Sequence, residues 1–134
     1  MRTERLTIDT SGRVVTEITD AVVRFAAEEG EDGLLDVFVP HATAGLALIE
    51  TGAGSEGDLE EVLARVLPQD DRYAHRHGST GHGADHLLPA LVSPSIVLPV
   101  RSGRVQLGTW QRVVVVDTNR ENDRRTVLLS LLSG

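Results

Sequence analysis

Arg112-Val113-Val114-Val115-Val116-Asp117 places four β-branched residues in a row with no polar interruption. Such side chains are stiff about χ1 and fit the pleated surface of a sheet. A strand with one wet face alternates apolar and polar residues, whereas an unbroken run is covered on both sides. The stretch therefore reads as a fully buried central strand. On its C-terminal side Asn119 to Arg124 is a polar turn, and Val127 to Leu132 is the last strand. On its N-terminal side Ile96 to Val100, the turn Arg101-Ser102-Gly103 and the return Arg104 to Leu107 read as a hairpin.

Further upstream, Leu6, Ile8 and Thr10 alternate with Thr7 and Asp9, the pattern of a half-buried strand. Ser11-Gly12 turns the chain into a second short strand at Val14-Val15. Leu34 to Val39 and Leu46 to Ile49 are two more apolar runs of strand length. Two helices stand out. Ile18, Val22, Phe25 and Ala26 recur at helical spacing after a cap at Thr16 or Thr19, and Gly30 closes that helix. Leu59, Val62, Leu63, Val66 and Leu67 form an amphipathic stripe that opens at Ser55 and stops at Pro68. A third, short helix fits between Asp85 and Val92, with Pro89 near its start or breaking it. Strands outnumber helices and short turns join several of them, so the expectation is an α+β single domain over residues 1–134 with mostly antiparallel pairing.

Composition narrows the function. The chain has 134 residues, 40% hydrophobic and 25% charged, with a formal net charge of −7. That charge opposes nonspecific nucleic-acid binding, and one Trp, one Tyr and two Phe supply few stacking platforms. The absence of cysteine removes disulfides, thiolate nucleophiles and thiolate zinc sites together. No run reaches transmembrane length and the N-terminus has no apolar leader, so a cytoplasmic location without membrane contact is expected.

Four of the five histidines fall within Tyr73-Ala-His75-Arg-His77-Gly-Ser-Thr-Gly-His82-Gly-Ala-Asp-His86, and the fifth, His41, follows Val39-Pro40. Imidazole is the commonest protein ligand for transition metals and titrates closest to neutrality. The cluster is a candidate metal or catalytic site, set against the plainer reading of a solvated polar loop.

Several of these motifs occur in one order. His41-x-Thr43-Ala44-Gly45, the acids Glu50 and Asp58, Tyr73-x-His75, His86, Gly108-Thr109-Trp110-Gln111 and Arg124-Arg125 resemble the pattern of the YjbQ-like family, whose members are often named secondary thiamine-phosphate synthases. The resemblance runs over nearly the whole chain. It implies a sandwich-like pair of mainly antiparallel sheets, a compact homotrimer, and a site near a subunit interface where His41, His75 and His86 converge, which are then the candidate metal ligands. His82 departs from the family, where Asn is usual four residues before the last histidine, and is either an extra ligand or a tolerated replacement. Thr51 also departs, standing where Asn is common. His77 has no counterpart in the family and is expected to face solvent.

Three neutral imidazoles suit Zn²⁺ better than Mg²⁺ and leave a fourth position for water or substrate. Glu50, at a strand end, is a candidate general base or a carboxylate orienting an imidazole. Asp58 is a second catalytic candidate, with a helix-dipole role as the plain alternative. Either Trp110 or the pair Thr109 and Gln111 lines the site, because neighbours on a strand face opposite ways. Thr43 belongs to the same motif. Arg124 and Arg125 are either a phosphate clamp or a surface turn. The resemblance implies synthesis of thiamine phosphate from a pyrimidine diphosphate and a thiazole phosphate, hence phosphorylated substrates. Two alternatives are a zinc-dependent hydrolase with Glu50 as base and a non-catalytic metal or small-ligand binding module.

Overall fold

The structure, a computed structural model, describes residues 1–75 and 78–134. The buried-strand reading is borne out. Strand β7 (Arg112–Asp117) lies between β2 (Val15–Glu17) and β4 (Ala44–Ile49) in a three-stranded antiparallel sheet. A second antiparallel sheet has the order β1-β8-β3-β5-β6, formed by β1 (Arg2–Asp9), β8 (Arg124–Ser133), β3 (Gly33–Phe38), β5 (Ser95–Arg101) and β6 (Arg104–Val105). Among the described residues three helices complete this α+β fold: α1 (Thr19–Glu29), α2 (Ser55–Val66) and α3 (His82–Leu91). None is long and apolar enough to cross a membrane.

The alternation of β7 explains why all four valines are needed. Val113 and Val115 join a core with Leu35 and Val37 of β3, Leu129 of β8, and Phe25 of α1. Val114 and Val116 join a second core with Leu63 and Leu67 beside α2 and with Ala84 and Leu88 of α3. All four are fully buried. Each side chain of this kind, taken from water to a packed interior, contributes about 1.5–3 kcal/mol. The order of layers is thus the five-stranded sheet with α1, then the small sheet, then α2 and α3.

Three local expectations need correction. Neither Thr19 nor Ser55 caps a helix with its side chain; the cap positions are Ile18 and Gly54. Thr19 lies inside α1, and its hydroxyl accepts a hydrogen bond from the Val113 amide at 2.8 Å, tying the helix to β7. Helix α3 begins at His82 rather than Asp85, because Gly81 adopts a left-handed φ of 83° that turns the chain into it. Pro89 sits near the end of α3, where its missing N–H costs a single hydrogen bond to the Asp85 carbonyl. Gly108 to Gln111 is a turn rather than a strand: the Gln111 amide donates to the Gly108 carbonyl and the Gly108 amide donates to the Gln111 side chain.

Gly45 fixes how closely α3 approaches the small sheet. A Cβ at this position would stand 2.0 Å from the carbonyl oxygen of Val92, the residue whose amide caps the end of α3. Backbone on both sides leaves no flexible group to yield. Gly45→Ala is expected to destabilise the fold by about 1–3 kcal/mol through overpacking, read as a lower urea midpoint. An unchanged midpoint would show that α3 can slide on the sheet.

Candidate functional site

Helix α3 carries His82 and His86 one turn apart, the i and i+4 spacing that puts two side chains on one face. His75 reaches the same place from the preceding loop. One ring nitrogen from each of the three histidines can be chosen so that all lie within 4.8 Å of one another. The ring centroids of His75 and His86 are 4.3 Å apart, those of His82 and His86 4.5 Å, and His82 Nε2 stands 2.8 Å from His86 Nε2. His75 is exposed while the other two are half-buried, so the cluster is reached from the loop side. There a cavity of about 250 Å³ is lined by Asp70, Asp71, His75, Ser79 and His82 among others.

Behind the cluster lies a group that sequence reasoning missed. Asp85, also on α3, is 4% exposed. Its Oδ1 accepts hydrogen bonds from Gln69 Nε2 and from Thr118 Oγ1, both at 2.8 Å, and its Oδ2 lies 3.8 Å from His82 Nδ1. A carboxylate there favours the His82 tautomer with its proton on Nδ1, which leaves Nε2 as a lone-pair donor toward the cluster. Two tetrahedral nitrogen ligands at about 2.0–2.1 Å from zinc stand about 3.3 Å from each other. A small separation of the two rings from their 2.8 Å contact would admit an ion. The donor set therefore fits zinc: three imidazoles, one of them with a buried carboxylate 3.8 Å behind it. The signal for Asp85 was present as His82-x-x-Asp85, one turn apart on one helix. Its two other partners are distant in the chain.

The remaining candidates fall elsewhere. His75 and His86 are together, whereas His41 belongs to a different polar group. Its Nε2 accepts a hydrogen bond from the Thr126 amide of β8 at 2.9 Å. Beside it Arg125, 7% exposed, ion-pairs with Asp117, and its Nη2 donates to Thr43 Oγ1 at 3.1 Å. Arg124 is exposed on the other face of β8, so the two arginines cannot grip one anion. Glu50 is exposed at the end of β4 that pairs with Arg112. The histidine cluster is anchored at Thr118, beyond the other end of β7, a span of about 20 Å for six residues of strand. Asp58 is exposed in the first turn of α2, where it complements the helix dipole. Trp110 is 70% exposed on its turn, with Thr109 and Gln111 exposed beside it. Thr51 donates to Glu17. His77 lies outside the described residues.

The two stacked antiparallel sheets with a histidine cluster on a flanking helix define an α+β protein of compact design. Comparison with known proteins gives it a family. Residues 4–134 match the family described as UPF0047 protein YjbQ-like, and the chain belongs to it. It is 58% identical to the UPF0047 protein Rv2556c of Mycobacterium tuberculosis (strain ATCC 25618 / H37Rv) over 134 residues, covering 100% of both chains. Against the UPF0047 protein YjbQ of Escherichia coli O157:H7 the identity is 27%, with 94% of each chain covered. Among solved structures, the hypothetical protein APE1520 from Aeropyrum pernix K1 superposes with a TM-score of 0.91 at 32% identity and covers 100% of both chains. A YbjQ-like protein of unknown function from Sulfolobus solfataricus P2, at 22% identity, shares the fold with a TM-score of 0.91, covering 99% of this chain and 97% of that one.

These comparisons overturn the expected thiamine-phosphate synthase activity. The family carries no assigned reaction, and these relatives are named as UPF0047, hypothetical or of unknown function, with no synthase among them. The geometry agrees, since the two arginines meant to hold phosphate are divided between a buried ion pair and the opposite face of β8.

Burial holds the His41 imidazole below its ordinary value of 6.5, and the Arg125 guanidinium adds to this, with Asp117 opposing. In the unfolded chain His41 takes its proton near 6.5, earlier than in the native state. As pH falls below about 6.5 the unfolded state therefore binds more protons, and stability drops until the native His41 also titrates. His41→Gln keeps an acceptor for the Thr126 amide but cannot titrate. It should flatten part of the slope of unfolding free energy between pH 6.5 and the native His41 value, measured by urea titration. Identical slopes in the two proteins would contradict this account.

Proposed function

We propose that the protein is a zinc-type metal-binding protein whose centre is His75, His82 and His86. The observation that carries this reading is the convergence of three ring nitrogens within 4.8 Å, with Asp85 behind one of them. Imidazole donors favour zinc and its late first-row neighbours over magnesium, which seeks oxygen ligands. When bound with three protein ligands, such an ion supplies Lewis-acid chemistry at one open position. The residues of the chain do the rest. Asp85 orients His82, the Gly81 turn sets the start of α3, and Asp70 and Asp71 give the mouth a negative potential that draws in cations. His82, which departs from the family pattern, then acts as a ligand, and His41 acts as a structural acceptor for β8.

Elemental analysis of untagged protein tests this. Zinc should be present at near one equivalent per chain, and His82→Ala or His86→Ala should remove it while far-ultraviolet circular dichroism stays unchanged. Asp85→Asn should weaken zinc binding about 10–100-fold. His41→Ala should retain the metal. Full zinc stoichiometry in the His82 and His86 variants would rule out this centre.

The family resemblance also points to a homotrimer, which we adopt as part of the proposal. Supporting it is the outer face of the five-stranded sheet, where Leu34 lies between Pro99 and Leu132 in register and Val97 lies close by. Leu34, Val97 and Leu132 are 49%, 57% and 60% exposed in the single chain. Adjacent apolar residues of this size mark a surface that is covered by a partner. Light scattering should give three chain masses for the native protein and a smaller species for the double variant Val97→Glu, Leu132→Glu. A native mass of one chain would refute the assembly.

A further inference from the structure

A second cavity, of about 310 Å³, is lined by Asp85 and shares Ser79 with the space beside the histidines. One wall is apolar: Val14, and from α2 and its end Leu63, Ala64 and Leu67. The facing wall is polar, built from Gln69, Ser79, Asp85, Thr118 and Asn119. Glu60, Arg120 and Glu121 complete the lining, with Arg120 held by its ion pair to Glu60. Three carboxylates thus line the cavity against one guanidinium, and that one is already engaged. An anion entering here would meet a negative field, whereas a cation would meet a favourable one.

Asn119 supplies an independent pointer to a ligand. It is 7% exposed, its backbone amide donates to Asp117, and its Oδ1 accepts from the Glu121 amide at 3.1 Å. The side-chain Oδ1 is thereby fixed, and among the described residues its Nδ2 meets no acceptor. That donor is open to the cavity, where an acceptor on a bound molecule would meet it. Thr118 spends its hydroxyl proton on Asp85 and Gln69 one of its two amide protons, so both oxygens remain as acceptors and Gln69 keeps one donor.

We propose that this cavity binds a small protonated amine with an apolar, ring-sized body and one hydrogen-bond acceptor. The apolar body rests on Leu63, Ala64 and Leu67, the ammonium faces the carboxylates of Asp85 and Glu121, and the acceptor takes the hydrogen bond offered by Asn119. The volume lies at the lower end of the range for small-molecule sites. No histidine is among the described residues that line this cavity, so binding here does not require the metal.

The test uses the full chain, both zinc-loaded and chelator-treated, titrated with 4-methoxybenzylamine, 4-methoxybenzyl alcohol and 4-methoxybenzoate. Affinity is read by calorimetry and location by NMR. The amine should bind at least about tenfold more tightly than the benzoate, a difference of about 1.4 kcal/mol. The alcohol should fall between them, and resonances of Leu63, Ala64 and the Asn119 side chain should shift. Ala64→Trp fills the cavity from α2 and should abolish binding without changing zinc content. Glu121→Gln, at an exposed position, should weaken the amine several-fold and leave the alcohol unaffected. Equal affinity for amine and benzoate, shifts confined to other residues, or undiminished binding in both variants would overturn the proposal. Amine binding in a protein that takes up no zinc would uphold this site while refuting the metal centre.

Discussion

Burial of β7 on both faces is the constraint on which the other features depend. Its odd residues face the large sheet and its even residues face α2 and α3, so one six-residue strand belongs to two cores. The same alternation continues past the last valine. Asp117 points into the inter-sheet side and meets Arg125, while Thr118 points to the helical side and meets Asp85. A register shift of one residue would exchange the two. The strand therefore sets both the buried ion pair and the footing of the histidine cluster.

Much of the fold was legible because it is written in local periodicity. The unbroken valine run, the alternation at Leu6 to Thr10 and the stripe from Leu59 to Leu67 are all local patterns, and each matches an element of the structure. The cap positions were misread because Thr19 and Ser55 have the right chemistry but spend it differently; Thr19 holds the Val113 amide rather than a free end of α1. The start of α3 was hidden by glycine. Gly81 and Gly83 lower helix propensity, yet Gly83 is needed because a Cβ there would stand 2.6 Å from Tyr73.

The site was legible only in part, for a related reason. His75, His82 and His86 could be seen as a dense stretch, but density does not say which rings meet. The i and i+4 spacing of His82 and His86 becomes decisive once α3 is known to begin at His82. Asp85 escaped notice because its partners, Gln69 and Thr118, come from 16 and 33 residues away. His41, with its strand-end position and preceding proline, looked like a ligand. Within the single chain its Nε2 accepts a hydrogen bond from the Thr126 amide of β8, away from the other three described histidines.

The pairing of Arg125 with Asp117 also bears on how such sequences drift. A guanidinium stays charged at any physiological pH, so losing Asp117 alone strands a cation between two sheets. Losing one partner of a buried pair costs about 3–5 kcal/mol, whereas replacing both with well-packed apolar residues is often neutral. A domain of this size holds about 5–15 kcal/mol in all. Lineages can thus cross from the charged pair to an oily one only if both codons change nearly together, which locks the two positions into a shared evolutionary fate.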